Sequence, residues 1–205
     1  MMRARDQQRR KDTSVGVLKT SDYQALTAVR DGQHQHEHGW ASADGRITLT
    51  AVERLRTMGL CEMAGFDTLD ALRPGPPQWA ARLTPEGHDT LLYLPVRRTT
   101  ARPSPPRTGH PGEACEIGLR PQAMDAVLLY LSLGDRLRRP PAPGLEAAVR
   151  TAQRAEKGST WCLRVTRAQA DSIAYALWLE ARAHSVGPAN RLAREHDVQY
   201  EPSAP

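Results

Sequence analysis

The chain has 205 residues, 40% hydrophobic and 25% charged, with a single Phe and a formal net charge of +5. It can bury ordinary cores in one large or two small domains, but not a core built on aromatic packing. The basic opening MMRARDQQRRKD lacks the apolar stretch of a signal peptide, and the longest apolar run, Ile173 to Leu179, is too short to cross a bilayer, so a cytoplasmic protein without membrane contact is expected.

The charge is unevenly placed. Residues 1–20 carry six basic and two acidic side chains, residues 21–95 six and ten, residues 96–114 four and one, and residues 115–205 twelve and ten. The excess lies mostly in a disordered basic tail, residues 1–17, and in a linker, residues 96–114, rich in proline and arginine. The linker offers too little apolar surface to offset the entropy lost on ordering. It separates a first unit, residues 18–95, from a second, residues 115–201.

In the first unit, Thr20 or Ser21 caps a helix through Tyr23, Leu26 and Val29. DGQHQHEHGWASADGR then reads as a loop. Thr50 caps the next helix and forms a capping box with Glu53; Ala51, Val52, Leu55 and Met58 share one face, and Gly59 supplies the left-handed stop. Leu60 to Met63 is a strand, FDTLDALRPGPPQW follows, Ala80 to Thr84 is a second strand, and Pro85 opens a helix to about Tyr93.

VERLRTMGLCEM and RLTPEGHDTLLY, in this order, resemble the winged-helix domains of MarR-type regulators. The resemblance covers about 45 residues. It implies that the helix over Ala51 to Met58 is the recognition helix, running into the first strand of a wing. Thr50, Glu53 and Thr57 then face outward, with Arg54 and Arg56 on the flanks and Arg73 in the wing, as the residues facing double-stranded DNA. The chain departs from the pattern where the supporting helix belongs, before Thr48, and in a wing that sets Arg73 beside Asp67 and Asp70. Taken whole, the chain also resembles a family from high-GC Gram-positive bacteria that joins such a unit to a small α/β tail and has no known activity.

The second unit begins with a short strand at Glu116 to Leu119. Pro121 opens an apolar helix through Leu131, with Gly134 at its end or bend, and a second helix carries Leu145, Ala148, Val149 and Ala152. Trp161 to Val165 is a strand. Thr166 caps a helix whose Ala170, Ile173, Ala174, Leu177, Trp178 and Ala181 make a core stripe, with Trp161 and Trp178 as aromatic anchors. A helix near Pro188 to Glu195 and a strand at Val198 to Tyr200 complete the order βααβααβ. The predicted fold is α+β: a winged-helix-like N-terminal domain followed by a small, mostly helical α+β C-terminal domain.

Cys61, Cys115 and Cys162 show no paired spacing, so each is expected to be a small buried hydrophobe rather than part of a disulfide or zinc site. His34, His36 and His38 share one face of an extended segment, but nothing in the sequence adds further ligands, so a solvated loop without metal is expected. His88 is expected on an exposed helix face. No phosphate-cradling glycine loop, nucleophile elbow or paired zinc ligands occur, so neither an enzyme nor a cofactor is expected. Two functional readings stand: a transcriptional regulator binding double-stranded DNA with help from the basic tail, its second unit dimerising or sensing, or a protein–protein interaction module that keeps the winged-helix shape without DNA binding.

Overall fold

The computed structural model describes residues 17–42, 47–72, 77–99, 115–155 and 159–201. The Asp22 carboxylate accepts from the backbone N–H of Lys19 at 2.9 Å, so the first helix, α1 (Thr20–Gln35), begins after Lys19 rather than after the expected Thr20 or Ser21. It also takes in Asp31 to Gln35, which the glycine-punctuated sequence had suggested as loop. Gly32 permits this: a Cβ there would stand 2.8 Å from the Ala41 side chain on the following strand, β1 (Ala41–Ser42).

Thr48, not Thr50, caps α2 (Leu49–Thr57), its hydroxyl accepting from the Ala51 N–H at 3.3 Å. The capping box with Glu53 is therefore replaced by a single capping bond two residues earlier. The helix stops as its sequence indicates. Gly59 takes φ +72°, its N–H reaches Arg56 O at 2.8 Å, and the Leu60 N–H reaches Leu55 O at 2.9 Å. Then come β2 (Cys61–Met63), α3 (Phe66–Ala71), β3 (Ala80–Leu83) and α4 (Pro85–Thr99). The three strands form an antiparallel sheet in the order β1-β3-β2, with Glu62 opposite Arg82 and ion-paired to it. The helix α4 runs past Tyr93 through Pro95, so residues 96–99 of the expected linker are helical.

The second sheet has the order β4-β6-β5, from β4 (Cys115–Leu119), β5 (Gln153–Arg154) and β6 (Trp161–Val165). Its helices are α5 (Pro121–Leu133), α6 (Leu145–Arg150), α7 (Arg167–Ala183) and α8 (Gly187–His196), with a 3-10 turn at Gly134–Arg136. The third strand is thus Gln153–Arg154. Residues 198–200 form no strand: Val198 is buried and the Tyr200 hydroxyl is drawn to Glu86, an attachment that makes no ladder. The Thr166 cap forms as the sequence indicates, the structure adds a capping box with Gln169, and the whole expected stripe of α7 is buried. The fold is α+β.

Helix α4 joins the two sheets. It follows β3 directly, packs on α5 and α7, and contributes to one continuous apolar cluster that spans both halves. Gly87 sets the approach, since a Cβ there would fall 2.1 Å from the Leu60 carbonyl oxygen.

Three buried carboxylates carry the polar part of this junction. Asp89, fully buried, accepts from the Arg138 N–H at 2.6 Å, the Arg139 N–H at 3.0 Å and the Tyr175 hydroxyl at 2.8 Å. Glu180, also fully buried, accepts from the Tyr93 hydroxyl at 2.9 Å and from Arg97 in a two-pronged contact at 2.9 and 3.1 Å. Glu86 receives the Tyr200 hydroxyl at 2.5 Å and pairs with Arg139 at 2.7 Å. Arg138 and Arg139, which follow α5, thus hold α4 in place through Asp89 and Glu86.

Other expectations need correction. Only Cys61 is buried; Cys115 is exposed and Cys162 half-buried, and all three are free thiols. Trp178 is buried, but Trp161 is only half-buried, with the Arg154 guanidinium 5.3 Å from its ring. His88 is half-buried rather than exposed, and burial, followed by the nearby charges of Arg138, His34 and Arg30, pushes its pKa down.

Candidate functional site

The α2 face follows from its apolar spacing. Val52 and Leu55 turn into the core, which leaves Thr50, Glu53, Arg56 and Thr57 exposed. Thr57 spends its hydroxyl hydrogen on the Glu53 carbonyl oxygen at 2.9 Å. Glu53 places a carboxylate in the middle of this surface.

Arg54 is directed elsewhere. Its Nε stands 3.0 Å from the buried Asp22 carboxylate on α1, a charge contact rather than a directed hydrogen bond, and its side chain is 40% exposed. The same carboxylate caps α1, so Asp22 ties the start of one helix to the flank of the next. Arg73 lies outside the described residues. Of the residues expected to face a ligand, the structure therefore brings Thr50, Glu53, Arg56 and Thr57 onto one open surface and holds Arg54 at its inner edge.

The segment after β2 adds what the sequence reading missed. Phe66–Ala71 is a six-residue helix with no buried residue, and Phe66, the only Phe in the chain, is 84% exposed. Asp67 and Asp70 flank it, both exposed. Leu49, at the start of α2, is also exposed. The available signal was FDTLDA itself: an aromatic beside two acids, with too few apolar positions to make a buried face.

The C-terminal end of α2 is held from the other half of the chain. Arg182 on α7 donates from a terminal guanidinium nitrogen to the Met58 carbonyl oxygen at 2.8 Å, while the guanidinium sits 4.5 Å from the Trp178 ring. Burial lowers its pKa to about 10, which leaves it cationic at neutral pH, the sign a helix C-terminus favours.

Among the described residues no group of three or more His, Cys, Asp and Glu is placed to hold a metal ion. The rings of His36 and His38 stack at 4.9 Å, and His38 Nδ1 accepts from the Trp40 N–H at 3.1 Å. Among the described residues no helix is long and apolar enough to cross a membrane.

Compared with known proteins, residues 64–205 match the model of a family described as "Family of unknown function (DUF6417)". The match begins just after β2 and takes in α3, β3, α4 and everything beyond. No curated protein and no solved structure matches the chain.

Proposed function

The chain belongs to the family DUF6417, and from that premise we propose that it is a regulatory interaction module. In this reading the N-terminal body keeps a winged-helix-like form, and the face built from α3 and the start of α2 docks on a protein partner in the cytoplasm, without catalysis. The exposure of Phe66 carries the reading: leaving the only Phe in water on a helix with no fully buried residue adds nothing to the core, whereas an aromatic set into a partner's pocket is an effective anchor. Asp67 and Asp70 beside it give the partner's chemistry, an apolar pocket rimmed by Lys or Arg.

A second reading, binding of double-stranded DNA through Thr50, Arg56 and Thr57 with the basic tail supplying phosphate contacts, is favoured by the openness of those side chains. It ranks lower because Glu53 shares the surface, Arg54 is paired to Asp22, and residues 21–95 carry ten acids against six bases.

A photo-crosslinking residue at position 66, used in cells, tests the first reading. A discrete protein adduct that disappears with D67K/D70K is expected. Titration against a random duplex at about 50 and about 200 mM salt tests the second. Steeply salt-dependent binding that falls with Arg56→Ala and is untouched by Phe66→Ala reverses the ranking.

A further inference from the structure

Behind the α4 junction, α7, α8 and residues 198–200 enclose a cleft of about 220 Å³. Trp178 and Tyr200 form an aromatic corner, their rings 5.5 Å apart and steeply inclined. Val186, Ala189 and Leu192 complete an apolar wall. Asn190 and Gln199 stand exposed at the rim, and among the described residues no hydrogen bond engages either side-chain amide. No Asp, Glu, Lys or Arg is among the described residues lining the cleft.

We propose that this cleft binds a small, neutral, single-ring aromatic molecule carrying an amide or hydroxyl group, and that filling it is transmitted to the C-terminal end of α2. Size sets the first limit: a cavity of about 150 Å³ takes benzene and drug-sized ligands need about 300 Å³ or more, so this cleft suits one substituted ring. Charge sets the second, because an ionic ligand would lose its hydration with no counter-charge to replace it. The two amides offer both donors and acceptors to a neutral polar substituent, and the aromatic corner offers edge and face to the ring.

Transmission has a short path. Trp178 is both a wall of the cleft and the surface beneath the Arg182 guanidinium, and Arg182 holds the Met58 carbonyl at the end of α2. A ring that shifts Trp178 changes the position from which Arg182 donates. The site stands whether α2 faces a protein or DNA.

The test uses 4-fluorobenzamide and the full-length chain, with fluorine NMR for binding and the backbone amide of Gly59 as the distant reporter. Saturable binding with a dissociation constant on the order of 1 mM is expected, with displacement of the Gly59 resonance along the same curve. Ala189→Leu, which fills the cleft, is expected to weaken binding by about tenfold or more and to abolish the Gly59 change. If that variant does not fold, Asn190→Ala, at an exposed position, is expected to weaken binding about threefold or more. Absence of saturable binding, or equal binding by the folded variants, overturns the site. Saturation that leaves Gly59 unmoved overturns the transmission.

Discussion

Asp89 is fully buried yet receives three hydrogen bonds, two from consecutive backbone N–H groups. Replacing it with Ala leaves those donors without an acceptor and is expected to cost about 3 kcal/mol in urea denaturation. Burial, the larger influence, lifts its pKa above the ordinary 3.8 despite the hydrogen bonds that lower it. The folded protein therefore holds this proton more tightly than the unfolded chain. Asp89 contributes most to stability below the unfolded pKa, and that contribution is lost as pH rises through the folded value. The difference in stability between wild type and Asp89→Asn, followed from about pH 3 upward, is expected to show this decline. The thiols give a separate check. Burial, reinforced by Glu62, raises the Cys61 pKa to about 12, whereas Cys115 is exposed. Alkylation at pH 8 followed by mass mapping is expected to mark Cys115 quickly and Cys61 only on unfolding.

Gly87 shows the demand of close packing at the scale of an element, since the approach of α4 to Leu60 leaves no room for a methyl group. Gly87→Ala is expected to cost about 1–3 kcal/mol and to weaken amide-exchange protection across β2 and β3. Local chemistry made the α2 stop, the Thr166 cap and the α7 stripe legible in the sequence, because each depends on residues within a turn or two of one another. The cap of α2 was misplaced by two residues because Thr48 and Thr50 are equally good capping side chains, and chain direction decides between them. The third strand of the second sheet was misplaced for a different reason: the sequence around Val198 has strand character, but Tyr200 finds its partner on α4, a contact no local pattern encodes. The candidate face was partly legible. Periodicity placed Thr50, Glu53 and Thr57 outward and Arg56 on their flank, where it is exposed, while the pairing of Arg54 with Asp22 spans two helices and was invisible to it.

For the whole molecule, one apolar cluster runs through both sheets and α4 carries polar ties to the middle and the C-terminal end of α7. Removing the hydroxyl of Tyr93 with Tyr93→Phe is expected to lower stability by about 1–2 kcal/mol and to shift the unfolding of β3 and β6 together, as read by amide exchange. Separate shifts would mean that the halves unfold independently. The tie between Asp89 and Tyr175 joins residues 86 positions apart, and the tie between Glu86 and Tyr200 joins residues 114 apart. During synthesis, α4 therefore leaves the ribosome well before its partners exist. Until they arrive, the side of the helix that will later be sealed presents two hydrated acids to the surroundings, which discourages the half-made chain from sticking to its neighbours. Groups that look costly in the finished protein thus keep the waiting helix soluble, and a chain ending before Tyr200 would retain part of that unfinished side.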